Sequence, residues 1–237
     1  MPTIVLIHGA FAESASWNGV IDPLEAAGHR VIAAANPLRG LASDAATVSD
    51  LVASIDGPVV LAAHSYGGAV MTNVDADAGN IVGLVYLCAF APDAGESAFT
   101  LAGKFPGSTL GEATVRPVPR SDGTTDFYVA PDSFNDVFCQ DVAAPRATLM
   151  ATTQRPATQE ALVEPSGDRP LWKDVPSYFL IGEEDRIIPP ALQHYMAERA
   201  GSRRTISVEG ASHAITVSQP EATARLVLEA ARMPAAA

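Results

Sequence analysis

The stretch from Pro58 to Val70 constrains the fold more than any other part of this sequence. Val59-Val60-Leu61-Ala62 is an apolar strand pattern, Ala63-His64-Ser65-Tyr66-Gly67 follows it directly, and Gly68-Ala69-Val70 opens a helix. A strand that turns straight into a helix bends sharply, and small residues two before and two after the turning point let the two elements approach. Ala63 and Gly67 stand at those positions, which puts Ser65 at the tip of the turn with its hydroxyl raised above the strand's carboxyl end. The arrangement reads as a nucleophile elbow, G-x-S-x-G, with alanine in place of the first glycine. Five residues alone are a weak pattern; the apolar strand before them and the small-residue helix after them give it weight.

The rest of the chain alternates around this turn. Thr3–Ile7 is an apolar strand ending in His8-Gly9-Ala10-Phe11, followed by a helix from about Trp17 to Ala27 that Gly28 closes. Arg30–Ala35 is too short and too apolar for a surface helix and reads as a buried strand. Ser43 is placed to cap a helix reaching about Ile55, and the helix after the elbow is expected to run to about Ala78. Ile81–Ala89 is a continuous apolar run, the pattern of a strand covered on both faces. From about 93 to 174 the alternation breaks down, with recurring Gly and Pro and with aromatics at Phe99, Phe105, Phe127, Tyr128, Phe134, Phe138 and Trp172. So long a structureless loop is improbable in a compact chain, so an insertion with short helices of its own is expected there, its aromatics fitting a cap over a pocket. Strands return at Ser177–Gly182 and Arg204–Val208, separated by a helix from Pro189-Pro190 to about Ala200. Ser218 and Glu221 have the spacing of a capping box for a last helix, and the tail from Pro234 is expected to fray. The expectation is α/β: one domain over 1–237, a doubly wound, six-stranded, mostly parallel sheet with flanking helices and the insertion after the fourth strand.

Composition narrows the partners. Fifteen basic against 27 acidic residues give a formal charge of −12, which argues against nucleic acid or an anionic membrane surface. No apolar run reaches membrane-spanning length. The two cysteines, Cys88 and Cys139, have no C-x-x-C spacing, so neither a disulfide framework nor a zinc site is expected. With no basic, apolar leader ahead of the first strand, a cytoplasmic location is expected. There is no metal-binding H-x-x-x-H pair, no P-loop and no dinucleotide glycine pattern, so no cofactor or metal is expected.

In a doubly wound sheet, sites lie outside the carboxyl ends of the strands. His8-Gly9-Ala10, Ser65, Asp185 and His213 each follow a different strand at that end. A serine hydroxyl needs a base within hydrogen-bond reach, and the base needs an orienting acid. Ser65, Asp185 and His213 supply these in the order nucleophile, acid, histidine. Of the other histidines, His29 precedes a strand, His194 lies on a surface helix, His64 would point away from the serine, and His8 suits a structural hydrogen bond in its turn. Glu183 and Glu184 are rivals to Asp185 on the same strand end. Acyl transfer also needs donors for a developing oxyanion, and the backbone N–H groups of Tyr66, at a helix start, and Ala10, in the first loop, are placed to supply them.

With these motifs in hand, the sequence resembles small members of the α/β-hydrolase superfamily, in the group of esterases and hydroxynitrile lyases with a cap inserted after the fourth strand. The resemblance rests on His8-Gly9-Ala10-Phe11 with Trp17, the elbow, Gly182-Glu183-Glu184-Asp185 with Pro189-Pro190, and Gly210-Ala211-Ser212-His213. It covers nearly the whole chain and carries nothing over in the cap. It implies Ser65, Asp185 and His213 as a catalytic triad, Ala10 and Tyr66 as the oxyanion hole, and hydrolysis of small, largely uncharged esters. The lyases have a threonine where Ala10 stands and a lysine where Ala214 stands, so cyanohydrin cleavage is the less favoured alternative. Acyl transfer to peroxide or alcohol on the same triad, and a ligand-binding role without catalysis, are the others. Phe11 and Ile187, next to catalytic loops, are candidates for the substrate pocket, with a core role as the plain alternative. The partner expected is a small-molecule ester; a homodimer stays open.

Overall fold

A computed structural model describes residues 1–232. Its main sheet has six parallel strands in the order β2-β1-β3-β4-β8-β9. They are β1 (Thr3–Ile7), β2 (Val31–Ala34), β3 (Pro58–Ser65), β4 (Asn80–Ala89), β8 (Ser177–Gly182) and β9 (Arg204–Val208). Helices α1 (Asn18–Ala26), α2 (Leu41–Ala53), α3 (Tyr66–Thr72), α8 (Pro190–Arg199), α9 (Ile215–Ser218) and α10 (Pro220–Arg232) connect or follow them. The central strands are mainly apolar because both faces are covered. Along β1, Val5 and Ile7 pack into a core shared with α2, α3 and α8, while Ile4 and Leu6 enter a second core shared with α1 and α10. Burying each such side chain contributes about 2 kcal/mol.

Between β4 and β8 the chain forms α4 (Ala98–Ala102), β5 (Val115–Pro119), β6 (Thr125–Val129), α5 (Pro131–Phe138), α6 (Ala144–Thr153), β7 (Ala157–Thr158) and α7 (Gln159–Val163). Short helices were expected here, but the antiparallel sheet β5-β6-β7 was not. Its strands escape a sequence pattern because β5 carries Pro117 and Pro119, tolerable only on an edge, and β7 is two residues long. The segment is tied to the core through the turn after β2. Arg39 pairs with the buried Asp126 at 2.6 Å, and Thr158 N–H donates to the Leu38 carbonyl at 3.1 Å.

Three local expectations fail. Helix α2 starts at Leu41 after Gly40, and Ser43 lies inside it, its hydroxyl bonded back to the Gly40 carbonyl. Helix α3 stops at Thr72, since the Asn73 side-chain amide takes the Ala69 carbonyl and turns follow. Ser218 ends α9, and its buried hydroxyl has no hydrogen-bond partner among the described residues, so it makes no capping box with Glu221. The tail from Pro234 lies outside the described residues.

Candidate active site

The chain runs from β1 outward to β2 and then crosses back to β3, so the turns after β1 and β3 flank the point where the winding reverses, and a crevice opens there. Ser65 stands at that point with φ 55° and ψ −128°, a backbone region that costs a non-glycine residue about 1–3 kcal/mol. Neighbouring backbone holds it there: the Ser65 carbonyl accepts from Phe90 N–H at 3.1 Å, next to a register shift between β3 and β4. The demand for a small residue two beyond the serine has a concrete cause. A Cβ on Gly67 would lie 2.5 Å from the Ile7 carbonyl oxygen.

The loop after β1 passes over the serine. A Cβ on Gly9 would lie 2.5 Å from Ser65 Cβ and 3.1 Å from its Oγ. This loop is pinned by His8, whose Nδ1–H donates to the Gly9 carbonyl at 2.9 Å while Nε2 accepts from Asn36 N–H at 3.2 Å. Burial lowers the pKa of His8 to about 4, so the ring stays neutral and keeps both roles. Ala10 and Tyr66 N–H have no acceptor among the described residues, and Tyr66 is the first residue of α3, where N–H groups lack helical partners. The Tyr66 side chain is anchored at its far end. Its hydroxyl donates to the buried Asp44 carboxylate at 2.9 Å, which also accepts from Arg39 N–H. Burial outweighs these bonds and raises the pKa of Asp44.

Asp185 and His213, on the loops after β8 and β9, come together. His213 Nδ1–H donates to Asp185 Oδ2 at 2.8 Å, and both side chains are fully buried. Asp185 Oδ1 accepts from Ile187 N–H at 2.8 Å and Ile188 N–H at 2.9 Å, while Gln193 Nε2 donates to Oδ2 at 2.9 Å. With its proton on Nδ1, the imidazole presents Nε2 as a bare lone pair, and that atom is buried without a partner. Ser65 Oγ makes no hydrogen bond to it: the Asp185–His213 contact is closed and the His213–Ser65 contact is open.

The rival residues have other occupations. Glu183 pairs with the exposed His194 at 3.1 Å, and the Glu184 carbonyl accepts from Gln140. His29 bonds the Pro2 carbonyl. His64, which strand alternation turns from the serine, meets His213 instead: its Nε2–H donates to the His213 carbonyl at 2.8 Å. Phe11 is buried and lines a solvent-open cleft between the first loop and α6, with Leu149, Met150 and Arg146. Neither Ser65 nor Ile187 lines that cleft; Ile187 is buried and serves Asp185 through its backbone.

Several contacts had no signal in the sequence. Gln193 lies one turn into α8, where nothing in its surroundings marks it. Phe138, from the segment between β4 and β8, stands edge-on to the His213 ring at 4.9 Å, and its carbonyl accepts from Ala214 N–H at 3.1 Å. Asp141 accepts from Ser212 N–H at 3.0 Å, so the residues on either side of His213 are both held from that segment. Among the described residues no group of His, Cys, Asp and Glu could hold a metal ion.

Known proteins share this arrangement of chain. A pyrethroid hydrolase of Sphingobium wenxiniae is 27% identical over 250 residues, covering 98% of this chain and 88% of that protein. A putative methylesterase 19 of Arabidopsis thaliana is 25% identical over 262 residues, 96% of each chain. The crystal structure of polyneuridine aldehyde esterase superposes with a TM-score of 0.81 at 20% identity, over 98% of this chain and 99% of that one, a likeness of fold. A family model described as the alpha/beta hydrolase family matches residues 4–226, and this chain belongs to that family.

Proposed function

We propose that the protein is a carboxylic ester hydrolase working through an acyl-enzyme on Ser65, with His213 as general base and then acid, and Asp185 orienting it. One observation carries this reading: a buried imidazole whose Nδ1 proton is committed to a carboxylate, leaving Nε2 as a free base. In the first step Ser65 Oγ attacks the ester carbonyl while His213 Nε2 takes its proton. The oxyanion is met by the N–H groups of Ala10 and Tyr66. His213 then returns the proton to the departing alkoxide, the alcohol leaves, and water activated by the same nitrogen releases the acid. Asp185, held by two backbone N–H groups and Gln193, orients the ring and stabilises the imidazolium.

The relatives support ester chemistry, two of them being named as a pyrethroid hydrolase and a putative methylesterase. Alanines at 10 and 214 favour hydrolysis over cyanohydrin cleavage, since a lysine at 214 is what the resemblance requires of a lyase. The thiols are no rivals as nucleophile: burial pushes Cys139 up to about 11 and Cys88 well above its ordinary value. The segment from 93 to 174 acts as a cap, its Phe138 forming a wall beside the base. Small, largely uncharged esters are the substrate class, because the acidic surface repels anions. Both cysteines are free and buried, which accords with a reducing, cytoplasmic location. No described helix is long and apolar enough to cross a membrane.

A panel of aryl esters of increasing acyl length tests the reading. Turnover of the short, neutral esters, abolished in Ser65→Ala, is expected. No ester cleaved faster by the wild type than by that variant would overturn it.

A further inference from the structure

His64 precedes the candidate nucleophile on the same strand, is buried, and takes no part in the steps above. Its surroundings are unusual for a core residue. Nε2–H donates to the His213 backbone carbonyl at 2.8 Å across a sequence separation of 149 residues, and the two rings lie 4.6 Å apart, tilted by 50°. A carbonyl only accepts, so the His64 proton sits on Nε2. That leaves Nδ1 as a buried lone pair with no partner among the described residues. An unsatisfied buried polar atom carries a desolvation cost that an aliphatic side chain would avoid, so packing alone does not account for a histidine here. Burial also holds its pKa well below the ordinary value, so the ring stays neutral and puts no positive charge against an imidazolium at 213.

We propose that His64 is a positioning residue: through its bond to the His213 carbonyl it ties the backbone of the base to the strand end that carries Ser65. The physical advantage is that nucleophile and anchor are consecutive residues. Any shift of the strand tip moves Ser65 and the hold on His213 together, so the reach from Oγ to Nε2 is kept. The loop after β9 is also held by Asp141 and the Phe138 carbonyl from the segment between β4 and β8, and by Glu184 N–H on the Ala211 carbonyl. His64 is the restraint from the nucleophile's own strand. It touches no substrate, so its loss should act on kcat and leave KM nearly unchanged.

This inference rests on the assignment of Ser65 and His213 as a catalytic pair, and the experiment separates the two. Steady-state kinetics on a short aryl ester would compare wild type, His64→Leu, His64→Gln, His213→Ala and the double variant His64→Leu/His213→Ala, with thermal melts to establish that each is folded at the assay temperature. His64→Leu is expected to lose roughly 10–100-fold in kcat with KM within about twofold. The glutamine variant, whose amide can still donate, should recover most of that loss. In the His213→Ala background the leucine substitution should add less than about twofold, because the group it positions is gone. A folded His64→Leu enzyme with kcat within about twofold of wild type, an equal loss in His64→Gln, or a full additive loss in the double variant would overturn the proposal. If His213→Ala alone left turnover intact, the catalytic reading itself would fall.

Discussion

The two halves of the site differ in how completely they are assembled. On the acid side, the Asp185 carboxylate has an acceptor role filled on each oxygen, and its bond to His213 is 2.8 Å long and sealed from water. On the serine side, Ser65 is held in a strained conformation, Ala10 and Tyr66 N–H have no described acceptors, and Nε2 of the base has no partner. A buried carboxylate in low dielectric must have its hydrogen bonds satisfied before substrate arrives, because leaving one buried without partners costs several kcal/mol. On the proposed mechanism, the donors and lone pair on the other side stay open for the substrate's carbonyl and the serine proton to complete during reaction. The difference separates a preformed half that orients from a poised half that reacts.

That contrast can be broken by mutation, beginning with the largest effects. His213→Ala removes the group shared by both halves and is expected to lower kcat by about 10⁶, whereas Asp185→Asn, which keeps the geometry but favours the wrong tautomer of His213, should lower it by roughly 10⁴. Steady-state assays of both would contradict the contrast if the asparagine variant were the more damaged. Gly9→Ala attacks the serine side alone: the new Cβ meets Ser65 Cβ at 2.5 Å and the His64 carbonyl at 2.8 Å, so the loop carrying Ala10 must move. Loss of one oxyanion donor is worth roughly 10²–10³ in kcat, and retained activity would show that the loop is not part of the hole. The smallest effect is on stability. His8 holds the Gly9 carbonyl and, once folded, takes up a proton only near pH 4, against 6.5 when unfolded. Between those values the unfolded chain binds more protons, so stability is full above about pH 6.5 and falls as the pH drops toward 4, by about 3 kcal/mol from this residue. His8→Asn should flatten that part of the melting-temperature profile; an unchanged slope would remove His8 as the cause.

The main sheet is legible because its strands other than β9 are mainly apolar runs bounded by polar or turn residues, and the candidate site is legible because its members follow strand ends. What escaped detection depended on contacts distant in sequence. The hairpin β5-β6 and its partner β7 are short, β5 carries two prolines and is mostly exposed, and β7 has only two residues, so no periodicity marks them. Ser43 and Ser218 both looked like helix caps, yet each helix begins elsewhere, since a capping pattern names a residue type and not the angle at which the chain arrives. Gln193, Phe138 and Asp141 act on the acid–base pair from elements that only tertiary packing brings near. Strand alternation turns His64 away from Ser65 but does not locate its partner, the loop after β9.

The central claim is that the hydroxyl of Ser65 is the nucleophile activated by His213. Labelling with a fluorophosphonate, followed by mass spectrometry of the intact protein and of its peptides, tests it directly. The account predicts one adduct per chain, on the peptide containing Ser65, formed with loss of ester turnover and slowed by orders of magnitude in His213→Ala. An adduct on another residue, or full turnover after stoichiometric labelling of Ser65, would contradict it.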